Sequence, residues 1–176
     1  MSGAPQYRIE QLDTAKHRRE AFRCESSELT QFLQKRARKE MDARASACFV
    51  LVGETDPGRI VGYYTLSQTS VSVQKLPVAV AKKLPRYPDL GATLIGRLAR
   101  DFEWRGKAIG PLLLMDALCR SVRLAGEAGA VVVVTDPKDA KAQNFYQGFG
   151  FQPLDDRRLF IPMQDLIKRE EAGWAL

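Results

Sequence analysis

The 176-residue sequence is poor in histidine and cysteine and contains no long hydrophobic run. Its one histidine, His17, lies in a polar N-terminal stretch, and we interpret it as a surface residue. We therefore expect neither a histidine-based triad nor a His-rich metal site, and no bound metal. The three cysteines, Cys24, Cys48 and Cys119, are widely separated and odd in number, which favours a reducing compartment over a disulfide framework or a zinc site. Because neither a transmembrane-length apolar run nor a signal-peptide core is present, we expect a cytoplasmic protein with no membrane partner.

The composition is that of an ordinary folded chain with an excess of positive charge. Hydrophobic residues make up 45% of the sequence and charged residues 27%, which is typical of globular proteins. A chain of this length can bury a core without disulfides or metals, so we expect a single domain over residues 1–176 with a frayed tail from about Glu170. The formal net charge of +6 favours an anionic partner.

The stretch 98–113 is typical of a strand end, a basic turn and the start of an apolar helix. Gly106 and Gly110 allow the backbone to turn sharply and to approach a ligand closely. Backbone N–H groups at a helix start, flanked by the cations of Arg105 and Lys107, form a site suited to phosphate. A glycine turn with a purely structural role is the alternative that this pattern leaves open.

Periodicity and turn residues predict an alternation of strands and helices along the rest of the chain. The predicted strands are Tyr7–Leu12, Ala47–Gly53, Ile60–Ser67, Ala92–Leu98, Ala130–Thr135, one opening at Phe151, and Leu159–Met163. The predicted helices are Leu29–Met41, a short one around 78–83, one with Pro111 at its first position, and Asp139–Gln147. Asp56-Pro57-Gly58 predicts the turn between the second and third strands.

Two further groups of cations stand out. The first lies on the predicted helix Leu29–Met41 and just beyond it, away from the apolar stripe, and is either a solvated helix face or a ridge that binds nucleic-acid phosphates. Its members are Lys35, Arg36, Arg38, Lys39 and Arg44. The second group precedes the central strand, where it forms either a wall or lid beside the substrate or a plain connection. Its members are Lys82, Lys83 and Arg86.

Two motifs resemble signatures of the GNAT acetyltransferase superfamily. The run Arg105-Gly106-Lys107-Ala108-Ile109-Gly110 is similar to its Gln/Arg-x-x-Gly-x-Gly/Ala element, and Phe145-Tyr146 with Gly150-Phe151 is similar to its Phe-Tyr-x-x-x-Gly-Phe element. The resemblance implies an α/β fold of the α+β type, with helices on both faces of a mixed, mostly antiparallel sheet. That sheet is expected to splay between its fourth strand, Thr93–Arg100, and its fifth strand, Val131–Thr135.

The same resemblance implies acetyl-CoA as the cofactor. Its pyrophosphate is expected on the backbone of the turn, and backbone amides near Ala99 and Arg100 are expected to polarise the thioester carbonyl. The cofactor-binding residues implied in this way are Leu98, Ala99, Arg100, Arg105, Gly106, Lys107, Ala108, Ile109, Gly110, Asn144 and Phe145. Ala108 stands where the family usually has glycine; a negative φ there costs little, whereas a positive φ strains the turn.

Tyr146 is the general acid that the resemblance implies, although without it the residue reads as a core aromatic. A phenol, with a reference pKa of about 10, stays protonated at neutral pH and can give a proton to a departing thiolate. No base is obvious. An α-amino group needs no strong base to remove its proton, since its reference pKa of about 7.7–8.0 leaves part of it neutral at physiological pH. Asp101 or Glu103 acting through water stays open.

A narrower resemblance covers nearly the whole chain. Phe22-Arg23-Cys24, Cys48-Phe49-Val50-Leu51-Val52, Leu84-Pro85-Arg86-Tyr87-Pro88 and Gly96-Arg97-Leu98-Ala99 are similar to the GNAT toxins of type II toxin–antitoxin pairs. This implies acetylation of the α-amino group of aminoacyl-tRNA, a block of translation, and a ribbon-helix-helix antitoxin as partner; homodimer formation is left open. The tRNA-binding residues implied are Lys35, Arg36, Lys39, Arg44, Lys82, Lys83 and Arg86. The alternatives are an acetyltransferase of a small amine and a non-enzymatic scaffold that binds nucleic acid or an antitoxin.

Overall fold

The structure, a computed structural model, describes residues 3–174 and contains a seven-stranded sheet within them. The strands are β1 (Tyr7–Gln11), β2 (Ala47–Gly53), β3 (Asp56–Ser72), β4 (Asp89–Arg100), β5 (Val132–Thr135), β6 (Gln152–Pro153) and β7 (Leu159–Pro162). Their order in the sheet is β1-β2-β3-β4-β5-β7-β6. The pairs β1–β2, β2–β3, β5–β7 and β6–β7 are antiparallel, whereas β4 and β5 are parallel. The expected mixed, mostly antiparallel sheet is therefore confirmed.

Helices occupy the connections between these strands. They are α1 (Ser27–Gln31), α2 (Ala37–Asp42), α3 (Val78–Ala81), α4 (Ile109–Ala128), α5 (Ala140–Gly148) and α6 (Met163–Glu171). A π-helical turn, Phe32–Arg36, joins α1 to α2, and a 3₁₀ turn, Phe102–Trp104, follows β4. Between residues 3 and 174, no helix is both long enough and apolar enough to cross a bilayer.

The contacts divide the chain into two compact units. Unit 1 comprises the described residues up to Ser67 together with Arg97–Ala117, and unit 2 comprises Gln68–Gly96 together with the described residues from Leu118 onward. The core of unit 1 is built on Phe22, Phe32, Leu33, Val50 and Tyr63, among others. The core of unit 2 is built on Val71, Leu76, Ala92, Val132, Val134 and Phe160. The single domain expected over residues 1–176 stays a prediction.

The parallel pairing of β4 with β5 ends where β5 ends. The paired positions run from Ala92↔Val132 to Ile95↔Thr135, whereas β4 itself continues to Arg100. At the last pair, the Thr135 hydroxyl donates to the Ile95 carbonyl over 3.0 Å. The end of the ladder at Ile95 agrees with the splay expected after the first part of the fourth strand.

The apolar stripe predicted for the helix 29–41 is confirmed, but that helix is not regular. Ser26 caps it by accepting a hydrogen bond from the Leu29 N–H over 3.2 Å. Within it, the Tyr63 phenol donates to the Leu29 carbonyl over 2.6 Å. A side chain that takes up a helix carbonyl favours a local widening, and the π-helical turn follows directly. This contact between Tyr63 and Leu29 cannot be predicted from the periodicity of the sequence.

Several element boundaries differ from the sequence prediction. The hairpin turn lies at residues 54–55, and Asp56 already pairs with Gly53, so Asp56-Pro57-Gly58 belongs to β3. Helix α4 begins at Ile109, so Pro111 is its third residue and not its first. Helix α6 was not predicted. Its Arg169 donates to the Phe149 carbonyl over 2.6 Å, which fastens it to the segment after α5.

The chain end is also more regular than expected. The N–H of Trp174 donates to the Arg169 carbonyl over 2.7 Å, so hydrogen bonds continue to residue 174, past the point where the sequence predicts a frayed tail. Residues 175–176, the rest of that predicted tail, lie outside the described residues.

His17 is buried rather than exposed, which corrects the sequence interpretation. The residue is 4% exposed, its Nδ1 accepts from the Asp13 N–H over 2.9 Å, and its Nε2 lies 2.7 Å from the Glu10 carboxylate. Because Nδ1 accepts, Nε2 carries the proton and donates to Glu10. The pKa of Glu10 is lowered to about 2, chiefly by its hydrogen bond with Lys16, whose Nζ is 2.6 Å away. The hydrogen bond with His17 lowers it further. His17 thus serves the structure of unit 1.

Gly62 of β3 lies against the first turns of α4. A Cβ built on it would be 2.8 Å from Leu113 Cδ1, 3.0 Å from the Ala99 carbonyl oxygen and 3.2 Å from Ile109 Cγ2. The backbone oxygen cannot move aside as a flexible side chain could. The absence of a side chain at Gly62 therefore sets how closely α4 approaches the sheet within unit 1.

We expect Gly62→Ala to lower the free energy of unfolding by about 1–3 kcal/mol, because the added methyl overpacks this contact. Gly126→Ala is the matched control, since Gly126 lies in α4 with nothing within 4 Å of a built Cβ. There the same change should raise stability by about 0.5–1 kcal/mol. Urea denaturation of both variants is the measurement. A neutral Gly62→Ala would show that α4 is not limited by this contact.

Candidate active site

The turn predicted to bind phosphate precedes the 20-residue helix α4. Gly106 has φ 75° and Ala108 has φ 56°, so two residues of the turn are in the left-handed region. Left-handed residues close to a helix start turn successive N–H groups toward one side and form an anion-binding concavity. Ala108 therefore has the positive φ that the sequence left open, and a non-glycine residue bears strain there.

The entry to this turn is held by one buried carboxylate. Asp101 is 1% exposed; its Oδ1 accepts from the Glu103 N–H over 2.9 Å and its Oδ2 accepts from the Arg23 N–H over 3.1 Å. The Arg59 guanidinium is 3.4 Å from the same Oδ2. The Asp101 N–H donates to the Val61 carbonyl over 2.7 Å. Both oxygens are thus engaged in structure, so the general-base role left open for Asp101 finds no geometric support.

The cations near the turn differ in what they contact. Arg105 is exposed and its guanidinium lies 3.9 Å above the centre of the Phe102 ring, while Lys107 is exposed at the turn itself. Arg100 is tied to Glu25 over 2.8 Å. Burial raises the pKa of Glu25, but its backbone hydrogen bond and the charges of Arg100 and Arg105 outweigh this and hold it below its usual value. Arg105 and Lys107 are therefore the side chains of this turn best placed for an incoming anion.

The implied cofactor residues fall into two groups by position along the chain. Those from Leu98 to Gly110 belong to unit 1, where Ala99 and Ile109 are buried and the segment 105–108 is exposed. Asn144 and Phe145 belong to unit 2, on α5, where Asn144 is exposed and Phe145 half-buried.

Tyr146 lies on the inner side of α5 and is 6% exposed. Its ring packs edge-on against Phe145 and Phe151, with centroid distances of 5.3 and 5.4 Å. Burial raises the pKa of Tyr146 to about 12, and a hydrogen bond with the Thr135 side chain opposes that rise. The phenol is consequently protonated throughout the physiological range, as a proton donor must be.

Thr135 is a site residue that the sequence interpretation missed. Its hydroxyl donates to the Ile95 carbonyl over 3.0 Å, and its side chain also lies in hydrogen-bonding contact with Tyr146. The Tyr146 phenol is therefore placed beside the end of β5. The only sequence signal is a threonine that closes a run of valines, and nothing in that pattern indicates a tyrosine partner.

The cations of the helix 27–42 are all exposed, but only some carry carboxylate partners. Arg36 is 3.0 Å from Glu40, and Arg38 is 3.8 Å from Asp42. Within the described residues, Lys35 and Lys39 have no ion pair. Both interpretations of this group, solvated face and phosphate ridge, remain compatible with such a surface.

Arg44 ends this helix in an unusual conformation. Its φ is 60°, its N–H donates to Met41 O, and the next N–H, of Ala45, donates to Glu40 O. This is the Schellman arrangement, with arginine where glycine is usual. The conformation fixes the direction of the Arg44 backbone, and its side chain is exposed.

Lys82, Lys83 and Arg86 follow the short helix α3 in unit 2 and are also exposed. No ion pair involves them in the part of the chain that the structure describes. The connection they occupy is fixed at its base, because the Val73 N–H donates to the Pro88 carbonyl over 3.0 Å.

Comparison with known proteins gives consistent matches. The profile of the acetyltransferase (GNAT) family matches residues 12–151. A probable toxin TacT of Sinorhizobium fredii is 31% identical over 171 residues, covering 92% of this chain and 94% of that protein. A tRNA-acetylating toxin of Mycobacterium tuberculosis is 31% identical over 147 residues, covering 82% and 86%. Among solved structures, AtaT complexed with acetyl-methionyl-tRNAfMet matches with a TM-score of 0.85 and 25% identity, covering 97% of this chain and 100% of that one.

We expect Ala108→Gly to raise the free energy of unfolding by up to about 1 kcal/mol. A left-handed alanine costs roughly 1–2 kcal/mol, of which the greater freedom of glycine in the unfolded chain cancels a part. Ala43→Gly is the control, because Ala43 is also exposed but has φ −79° and should lose stability. Thermal denaturation of both variants is the measurement. If Ala108→Gly lost as much stability as Ala43→Gly, the positive φ at Ala108 would carry no strain.

Proposed function

This chain belongs to the acetyltransferase (GNAT) family, and on that premise we propose that it transfers the acetyl group of acetyl-CoA to the α-amino group of aminoacyl-tRNA and so blocks translation as a toxin. The observation that carries the proposal is the 31% identity, over most of both chains, to a relative known as a tRNA-acetylating toxin. Each unit carries exposed cations, and positive charge is what the phosphates of an RNA substrate require.

The turn before α4 fits the pyrophosphate of acetyl-CoA. Two left-handed residues, the unbonded first N–H groups of a long helix and the exposed cations Arg105 and Lys107 together favour an anion. Pro111 removes one N–H from the first turn of α4, so fewer donors are available than in a proline-free turn. The cofactor, once bound, supplies an acetyl thioester; the chain's residues hold and orient it.

Tyr146 holds the proton that the leaving thiolate requires. Its pKa of about 12 keeps the phenol neutral, and its contact with Thr135 keeps the ring end beside the end of β5. The backbone amides near Ala99 and Arg100 are assigned to the thioester oxygen, where negative charge develops as the amine attacks.

The chemistry of the amine suits a site without a histidine base. An α-amino group with a reference pKa of about 7.7–8.0 is partly neutral at physiological pH, whereas a lysine near 10.4 is almost wholly charged. Asp101 is occupied by its N–H donors, and Glu103 is exposed beside Arg59 at 3.4 Å. Aminoacyl esters are therefore better matched to this site than protein lysines.

The proposal includes a partner and a location. A toxin of this class needs an antitoxin, and we assign that role to a ribbon-helix-helix protein. The cytoplasm is where charged tRNA is consumed, so we place the protein there. Formation of a homodimer stays a prediction.

The experiment that tests the function is transfer of radiolabelled acetyl groups from acetyl-CoA to total charged tRNA, with uncharged tRNA and spermidine as controls. We expect label on charged tRNA alone. Label on spermidine would indicate a small-amine acetyltransferase, and no label on any substrate would indicate a scaffold without catalytic activity.

We expect Tyr146→Phe to lower kcat by roughly 10²- to 10⁴-fold while leaving the Kd for acetyl-CoA unchanged, because only the proton donor is removed. Tyr7→Phe, at a half-buried tyrosine of β1, is the control and should keep full activity. Calorimetry and steady-state kinetics measure the two quantities. Wild-type turnover in Tyr146→Phe would remove the phenol from the mechanism.

The rate of acetyl transfer should rise with pH and should not fall again between about pH 7 and pH 10. The acid with pKa about 12 stays protonated below that value, so its deprotonation cannot lower the rate between about pH 7 and pH 10. The rate should instead rise as the α-amine loses its proton near pH 8 and then level off.

We expect the double variant Lys35→Gln, Lys39→Gln to raise KM for charged tRNA several-fold and to reduce its salt dependence. Removing one phosphate contact should reduce the slope of log K against log salt by about 1. Arg123→Gln, which removes an exposed charge from α4, is the control. An unchanged slope in the double variant would identify Lys35 and Lys39 as a solvated helix face.

A further inference from the structure

The connection Val73–Pro88, called here the basic segment, has an unusual charge pattern. It carries four cations and neither Asp nor Glu. One of them, Lys75, is 3.1 Å from Asp155, whereas Lys82, Lys83 and Arg86 have no carboxylate within ion-pair distance in the described residues. The segment therefore presents three uncompensated positive charges within five positions of the sequence.

This segment is anchored to unit 2 through its apolar side. Leu76 is buried there, and Val80, Ala81 and Leu84 pack against the same cluster. The Val73–Pro88 hydrogen bond closes the base of the segment. Because its inner side is packed, its outer side is held in a defined direction.

Tyr87 lies on the outer side of the basic segment, and packing within the fold does not account for its exposed aromatic ring. It is 62% exposed, next to Arg86, and its phenol has no hydrogen bond within the described residues. Its backbone is restricted, since it lies between Pro85 and Pro88 and its N–H donates to the Pro85 carbonyl over 3.0 Å. An aromatic ring held in solvent on a restricted backbone loses little entropy when a planar group stacks on it.

The combination of an exposed ring with uncompensated cations fits unpaired nucleotides. Bases of a single strand are open to stacking on aromatic side chains, whereas those of a duplex are hidden. Phosphates on either side of a stacked base would meet Lys82, Lys83 and Arg86. An acidic protein segment would use the cations but would have no need of the ring.

We propose that Tyr87 is a stacking platform for the unpaired 3′ end of the RNA substrate, with Lys82, Lys83 and Arg86 contacting the adjoining phosphates. This inference rests on the proposed function for its substrate. It makes Tyr87 a positioning residue, because the ring holds the RNA end and takes no part in bond making.

The test measures binding and catalysis separately. A fluorescein-labelled single-stranded RNA with the sequence of a tRNA 3′ end is titrated with the full chain, and KM and kcat are measured with charged tRNA. For Tyr87→Ala we expect binding to the oligonucleotide to weaken by about 5- to 150-fold, the range expected when one base stack is removed, with an equal rise in KM. At saturating tRNA, kcat should be unchanged.

Matched variants separate stacking from charge and from folding. Tyr87→Phe keeps the ring and should bind within about twofold of wild type. Val78→Ala, at an 82% exposed residue of the same segment, should also be neutral. Lys82→Gln with Lys83→Gln should lower the salt slope by about 0.7 for each contact, whereas Tyr87→Ala should leave the slope as it is.

Three results would overturn the inference. The first is unchanged oligonucleotide binding in Tyr87→Ala, and the second is binding that weakens in Tyr87→Phe as much as in Tyr87→Ala. The third is that Tyr87→Ala lowers the affinity for duplex RNA or for polyglutamate by the same factor as for the single strand; such a drop for polyglutamate would indicate an acidic protein partner. The binding arm needs no acetyl transfer. Wild-type protein that fails to acetylate charged tRNA would therefore refute the proposed function alone, whereas normal acetylation with unchanged KM in Tyr87→Ala would refute only the platform.

Discussion

The turn before α4 depends on one buried carboxylate. Asp101 accepts hydrogen bonds from the N–H groups of Glu103 and Arg23 and lies beside the Arg59 guanidinium, all with 1% of its surface exposed. Removing this group would deprive the part-buried N–H groups of Glu103 and Arg23 of their acceptor, which costs free energy of folding. The end of β4, the 3₁₀ turn and the start of the proposed phosphate-binding turn are therefore fixed together.

A second constraint acts in unit 2. The Thr135 hydroxyl bonds the Ile95 carbonyl at the last paired position of β4 and β5, and its oxygen contacts the Tyr146 phenol. One side chain therefore lies at the end of the parallel ladder and contacts the proposed proton donor. Family resemblance pointed to the tyrosine, and the structure identified the threonine beside it.

Patterns that depend on neighbours in sequence were predicted well. The alternation of buried strands and amphipathic helices and the glycine turn before α4 follow from local rules. The misses share one physical cause. The π-helical turn lies beside a contact between residues 34 positions apart, and α6 is fastened by one between residues 20 positions apart. His17 binds Glu10 across seven positions and a change of element, and the periodicity of the sequence predicts none of these contacts.

The sequence by itself determined the family and most of the strands and helices, because both follow from recognisable patterns of adjacent residues. It also predicted the basic turn as a phosphate site and Tyr146 as the acid. Tertiary structure alone decided the positive φ of Ala108, the occupation of Asp101 by N–H donors and the solvent exposure of Tyr87. Backbone angles, hydrogen-bond partners and exposure are properties of packed neighbours, and these are fixed only when the chain has folded.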